Sequence, residues 1–328
     1  MSSTKIRRRT ALASGAAALL ASPAVLAQAF PSKPVTLVIP FPAGGPSDVF
    51  GRLLARGMSE RLGQPVVVDS KSGAGGVIGI DFVAKAAPDG HVIGLTSPSA
   101  VVLNPQLMAK MPYDAQKDLA PLTLVTRVQE VLGVHPDAGI GSIRDLIAKA
   151  RANPGKLTYG SAGTGGITHL AGELLAREAG INIVHVPYRG AAPATVDLLG
   201  GRVDFAILDI TVLLSHFRSG KIKPVMITSA SRAALLPDVP NAVESGLAAV
   251  NSDNWYGLVT AAGVPEAARA RLTAAAVETL KTKEIVEAYA AQGGVVDPGT
   301  PEAFGALIAA ERTKWGAIIR AANIKLDQ

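Results

Sequence analysis

No cysteine occurs in the 328 residues. Its absence rules out a disulfide framework and a lipid-bearing N-terminal cysteine. Aromatic side chains are scarce at 4%, which leaves little material for stacking platforms that hold sugars or bases. An excess of one charge is lacking too. The formal net charge is +6, but Lys5, Arg7, Arg8 and Arg9 stand in an N-terminal stretch without acids, and beyond it 28 basic side chains face 26 acidic ones. So small a balance, without a basic stripe, argues against nucleic acid or an anionic membrane surface as main partner. The apolar stretch 11–26 is short and interrupted by Ser14, Gly15, Ser22 and Pro23, a poor permanent membrane span. Preceded by basic residues and followed by small Ala27 and Ala29, it reads as a signal peptide over 1–27, cleaved after Ala27 or Ala29. The paired arginines leave both the general secretory and the twin-arginine routes open. The expected mature protein is monomeric and free in the periplasm.

Catalytic motifs are missing as well. His91, His135, His169, His185 and His216 form no pair at i, i+3 or i, i+4 spacing, and no Gly-x-Ser-x-Gly elbow occurs. No catalytic residue, metal or cofactor is expected.

What the chain has is glycine-rich turns placed between strands and helices. Val35-Thr36-Leu37-Val38-Ile39 reads as a strand, and Val49, Phe50, Leu53, Leu54 and Met58 recur at helical spacing. Between them lies Pro40-Phe41-Pro42-Ala43-Gly44-Gly45-Pro46-Ser47-Asp48, in which Pro46 suits the first helical position. A strand, a small-residue turn and a helix N-terminus make an anion site, because first-turn amides have no intrahelical acceptor and the helix dipole favours negative charge. Such turns also serve as plain connections in many α/β proteins. A counterpart follows the strand at 157–159, in Gly160-Ser161-Ala162-Gly163-Thr164-Gly165-Gly166-Ile167-Thr168-His169. Further strands are expected at 65–69, 91–96, 183–187, 203–209 and 225–229, with Ser97 closing the third on the side of the opening turn. The apolar run 122–135 is long enough to pass between lobes, and 255–260 reads as the strand that returns. Helices over 265–280, 283–291 and 301–322 complete the chain. Gly73, Gly75 and Gly79 superficially resemble a dinucleotide fingerprint, yet the strand that follows ends without an acid for a ribose hydroxyl.

Pro40 to Asp48, Gly73-Ala74-Gly75-Gly76, the run Ala84-Lys85-Ala86-Ala87-Pro88-Asp89-Gly90, Met111-Pro112-Tyr113-Asp114, Tyr159-Gly160-Ser161-Ala162-Gly163, His169-Leu170, Pro187-Tyr188-Arg189-Gly190 and Trp255-Tyr256-Gly257 follow one another through nearly the whole expected mature chain. In these stretches the sequence resembles the Bug-type, or tripartite tricarboxylate transporter (TctC-like), periplasmic solute-binding proteins. The resemblance implies an α/β, two-lobed, Venus-flytrap fold (type II-like). Each lobe would be an open βα sheet, with the ligand cleft between the two. The expected division is 30–126 for the first part of lobe I, 127–254 for lobe II, and 255–328 for the return strand and the completion of lobe I. It further implies capture of a small carboxylate-bearing solute and its delivery to membrane transporter subunits. A ligand-dependent partner of a membrane sensor is the alternative. A periplasmic oxidoreductase using the Gly73 loop is the weakest reading, since that compartment supplies little nicotinamide cofactor.

By resemblance, ligand contacts fall on Phe41, Ala43, Gly44, Gly45 and Ser47 of the first turn and on Ser161, Thr164, Gly165 and Gly166 of the second. Ser97, His169, Tyr188, Arg189 and Asp209 are further candidates. Asp48, in the first helical turn, is expected to cap backbone amides rather than to meet an anion. Lys71 and Arg189 are the nearby cations for any second anionic group. Asp209, if ionised in the cleft, favours a solute with an ammonium, hydroxyl or ring N–H at its far end. The expected ligand is therefore a small monocarboxylate or amino-acid-like acid ahead of a tricarboxylate.

Overall fold

The computed structural model describes residues 30–324; the stretch 1–27 and its cleavage position lie outside the described residues. The chain opens with β1 (Val35–Ile39), α1 (Pro46–Leu62), β2 (Val66–Ser70), α2 (Val77–Ala84) and β3 (Val92–Thr96). After a wide helical turn over Ser99–Leu103 come α3 (Asn104–Leu107) and β4 (Leu119–Val128). The second series is β5 (Glu130–Val134), α4 (Ile143–Ala152), β6 (Thr158–Ser161), α5 (Ile167–Ala179), β7 (Val184–Pro187), α6 (Ala191–Leu199), β8 (Phe205–Asp209), α7 (Ile210–Arg218) and β9 (Lys223–Ile227). The return comprises β10 (Asn254–Ala261), α8 (Glu266–Leu280), α9 (Lys283–Ala291), β11 (Gly294–Val296) and α10 (Pro301–Ala322).

The strands form two sheets. The first has the order β11-β4-β10-β3-β1-β2 and the second β7-β6-β8-β5-β9. β1 is parallel to both β2 and β3, and β6 is parallel to both β7 and β8. β10 runs antiparallel to β3 and β4, as β5 does to β8 and β9. Covered on both faces, central strands read as near-continuous apolar runs. In β1, Val35, Leu37, Val38 and Ile39 are buried, and all eight residues of β10 are buried. Helix α1 lays Phe50, Leu54 and Met58 into the core of the first sheet, and Gly63 ends it in the left-handed conformation (φ 69°) with its amide donated to Ser59.

Two crossings join the sheets. One is the single residue Gln129 between β4 and β5; the other is the chain between β9 and β10. The run 122–135, expected as one crossing segment, is thus two buried strands of different sheets. The short β11 was not anticipated. Val295, its middle residue, is exposed, so β11 carries too little apolar pattern to announce itself.

Candidate functional site

Four helices begin at the interface between the sheets, and local sequence decides how each begins. Helices α1, α5 and α6 follow Gly45, Gly166 and Gly190, none of which has a side chain to cap the first-turn amides. Those amides are left for another acceptor. Helix α7 follows Asp209. Asp48 does what its position suggests: Oδ2 accepts the Gly44 amide at 3.0 Å and Oδ1 accepts Nε of Arg52 at 2.8 Å.

The lobes are in contact across the cleft. The Ile167 amide at the start of α5 donates to Ser99 Oγ at 3.2 Å. From β10, Asn254 Nδ2 donates to Asp209 Oδ1 at 2.9 Å, and the Tyr256 hydroxyl donates to Asp209 Oδ2. Gly75 and Gly190 permit the closest approaches. A Cβ on Gly75 would lie 3.3 Å from the Thr164 carbonyl oxygen, and one on Gly190 would lie 2.6 Å from Pro42 Cδ.

Between the lobes is a narrow cavity whose wall includes Phe41, Gly45, Ser47, Ser97, Gly166 and Asp209. Pro42, Pro46, Gly75, Ser99, Ala162, Ile167, Thr168, Ala191, Asn254 and Tyr256 complete it. Asp209 is the sole ionised carboxylate on the wall, and neither lysine nor arginine lines it among the described residues. Burial pushes the Asp209 carboxyl up to about 6, against the Tyr256 and Asn254 hydrogen bonds, which pull it down. Ser47 Oγ and Ser97 Oγ are buried on this wall without a hydrogen-bond partner among the described residues. Amides, hydroxyls and helix dipoles can therefore meet an anion, and Asp209 can meet a donor.

Other residues expected at the site stand elsewhere. Ala43 and Gly44 are exposed on the outer side of the first turn. Ser161 is buried behind the second turn, where Oγ pairs with His185 Nε2 at 2.7 Å and accepts the Gly163 amide at 3.2 Å. His169 Nδ1 accepts the Gly165 amide at 3.1 Å, and its ring stacks on His185 with centroids 4.0 Å apart. Burial, reinforced by His169, pulls His185 down to about 3, so the His185 ring is a neutral support for the turn. Thr164, Tyr188 and Arg189 line an adjoining hollow with Gly73 to Gly76, which shares Phe41, Gly75 and Ala162 with the cavity. The Tyr188 hydroxyl donates to Asp197 at 2.8 Å. Lys71 pairs with Asp69 at 3.0 Å and lies over the Phe82 ring. The second turn presents Gly166 and the start of α5 to the cavity in place of its own hydroxyls, because Ser161 and His169 face inward to hold the loop.

Asn254, Tyr256, Ser99, Thr168 and Ala191 escaped sequence reasoning. Asn254 and Tyr256 alternate on β10 and so share a face; the expected return strand 255–260 stops one residue short of Asn254, and extending it by that residue marks the pair.

The sequence profile described as "Tripartite tricarboxylate transporter family receptor" matches residues 50–324. The chain belongs to that receptor family. Protein BugT of Bordetella pertussis is 38% identical to this receptor over 312 residues, covering 95% of each chain. Among solved structures, R. palustris Rpa4515 with adipate superposes with a TM-score of 0.87 at 31% identity, covering 90% of this chain and 99% of that one. MatC from Rhodopseudomonas palustris with bound malate gives a TM-score of 0.85 at 30% identity, covering 88% and 100%. The receptor thus has the two-lobed periplasmic binding-protein fold and the carrier role of its family. Among the described residues no helix is long and apolar enough to cross a membrane.

The two unpartnered hydroxyls allow a direct check. Ser47→Ala and Ser97→Ala remove no hydrogen bond between described residues, so folding stability should not fall, because a buried hydroxyl without a partner does not favour the folded state. If these hydroxyls meet the solute, each substitution should weaken its binding about tenfold, since a hydrogen bond to a charged group contributes about 1.5–3 kcal/mol. Calorimetric titration beside urea unfolding separates the two effects. Unchanged affinity in both variants would remove Ser47 and Ser97 from the site.

Proposed function

We propose that the receptor captures a small monocarboxylate or amino-acid-like acid in the cavity between its lobes. As a monomer, it then hands the solute to a tripartite tricarboxylate-type membrane transporter. The carrying observation is the wall itself: starts of α1, α5 and α6 that follow glycines without a capping side chain, two hydroxyls unpartnered among the described residues, and a single lining acid, Asp209. We place the solute carboxylate at the starts of α1 and α5, on the Ser47 and Thr168 amides with the Ser97 hydroxyl, beside Phe41, Gly45 and Gly166. Its far end is placed on Asp209. The lobes that close are 30–126 with 255–328, and 127–254. Adipate and malate in related proteins support an organic acid as the solute class. A second carboxylate beside ionised Asp209 is penalised, because burying like charges together costs several kcal/mol unless one is neutralised.

A thermal-shift panel of aliphatic, hydroxy, amino, di- and tricarboxylic acids at pH 7.5 tests the proposal. A solute at 100 times its dissociation constant adds about 2.7 kcal/mol of stability, and acids with one carboxylate and a donor at the far end should shift most. Nicotinamide cofactor should add nothing. If citrate-like acids shift most and Asp209→Asn leaves the ranking unchanged, the charge argument fails. Capture of the transporter subunits by the solute-loaded receptor, and not by the empty one, tests delivery.

A further inference from the structure

Behind Asp209 lies a second acid that the solute site does not use. Glu130 opens β5 directly after the crossing residue Gln129, and its register partner across the sheet is Asp209. Glu130 is 0% exposed and Asp209 is 3% exposed. Asp209 receives its donors, Asn254 and Tyr256, from β10 of the first sheet. Glu130 Oε2 accepts from Ser252 Oγ at 2.8 Å, on the second crossing, whereas Oε1 has no partner among the described residues. The charged groups facing Glu130 are Asp209 and Asp253, both acids, and the Tyr256 hydroxyl lies on the Asp209 side. Arg127, Lys314 and Glu311 act on Asp253.

Two carboxylates in one desolvated spot cannot both keep their charge cheaply, so such a pair holds a proton and titrates as a unit. The environment decides which member carries it. Burial, then the Asp209 charge, raise Glu130 well above the usual carboxylate range, while the Tyr256 and Asn254 hydrogen bonds keep Asp209 at about 6. The three donor contacts on Asp209, against one on Glu130, favour the charge on Asp209 and the proton on Glu130.

We propose that Glu130 and Asp209 form one proton-holding pair whose charge selects the solute. With one proton, on Glu130, the cavity wall keeps a single negative charge and takes an acid whose far end is a donor. With a second proton, taken from bulk water onto Asp209 as the solute binds, it admits an acid ending in a second carboxylate. The inference rests on the cavity being the solute site. It also accommodates, within one wall, the donor-ended acids proposed above and the dicarboxylates named for related structures.

Two probe pairs of matched length test it: adipate against 6-aminohexanoate, and succinate against β-alanine. Each is titrated calorimetrically between pH 6 and 8 in two buffers of different ionisation enthalpy. For the wild type, the dicarboxylate should take up close to one proton, with affinity rising toward tenfold per pH unit as pH falls from 8 toward 6. The amino acid should take up none and bind best at the alkaline end. Asp209→Asn mimics the doubly protonated pair. It should bind the dicarboxylate without proton uptake or pH dependence and lose its preference for the amino acid.

A ligand-free arm tests Glu130 itself. Its raised acid form favours the folded state at low pH, and that advantage is lost as pH rises above the unfolded-chain value toward the folded one. Glu130→Gln abolishes this loss. Its folding equilibrium constant should therefore gain on wild type by nearly tenfold per pH unit between pH 5.5 and 7.5. A Glu130→Gln stability curve parallel to wild type overturns the pair, as does dicarboxylate binding without proton uptake. Failure of all four acids to bind overturns the solute reading and, with it, the selection, while the Glu130→Gln curve still reports where the proton resides.

Discussion

Gly75→Leu is expected to lower solute affinity at least 100-fold, whereas Gly180→Leu leaves it unchanged. Gly75 has φ 62° and Gly180 has φ 59°, so leucine pays a similar cost of about 1–2 kcal/mol for left-handed backbone at either place. The surroundings differ. Nothing lies within 4 Å of a Cβ on Gly180, while a Cβ on Gly75 would meet Asn104 Nδ2 at 2.8 Å and, across the cleft, the Thr164 carbonyl oxygen at 3.3 Å. The longer leucine side chain has to occupy the space into which lobe II closes. Holding the lobes apart takes the start of α5 away from a solute seated on α1. Loss of two amide-to-carboxylate hydrogen bonds, at about 1.5–3 kcal/mol each, corresponds to 100-fold or more. The acid with the largest thermal shift is the probe, titrated calorimetrically into all three proteins. Equal affinity in Gly75→Leu and wild type would show that binding does not require this closed arrangement.

Gly172→Ala should destabilise the fold by about 3 kcal/mol, against the usual effect of such a change. Replacing a helical glycine by alanine ordinarily stabilises by up to about 1 kcal/mol. Here the added Cβ would sit 2.2 Å from Tyr159 Cε2 and 2.3 Å from Cζ. The ring has nowhere to go. It is fully buried, stacked between His185 at 5.0 Å and Phe205 at 5.7 Å, and its hydroxyl donates to Glu173 at 2.9 Å. Overpacking of this kind costs about 1–3 kcal/mol, occasionally more. Gly305→Ala in α10 is the control, since its Cβ would meet only Pro121 Cγ at an ordinary 3.5 Å. Urea unfolding should therefore move the two variants in opposite directions. A Gly172→Ala protein as stable as wild type would mean that α5 is not seated on Tyr159 as described.

Much of the fold was legible because it depends on local signals. Central strands such as 35–39 and 255–260 are mostly apolar, and α1 carries proline at its start and Gly63 at its end. The second turn is legible as a turn, but where its hydroxyls stand is not: Ser161 pairs with His185 and Thr164 lines the adjoining hollow. Whether Ser161 faces the cavity or His185 depends on where β7 lies, and β7 is 24 residues away along the chain. Arg189 and Lys71 were drawn toward the solute by their charge, yet Arg189 lines the outer hollow and Lys71 is taken up by Asp69 and Phe82.

The sequence by itself determined the series of strands and helices, the glycine-started helices that can hold an anion, and the family, because these depend on residue type and spacing along the chain. Only the tertiary structure decided which groups line the cavity. It turned Ser161 and His169 inward, put Asn254 and Tyr256 on Asp209, and set Glu130 opposite Asp209 across two antiparallel strands. The three pairings on Asp209 join residues 45 to 79 positions apart, at distances that follow from sheet register and lobe closure rather than from any local pattern.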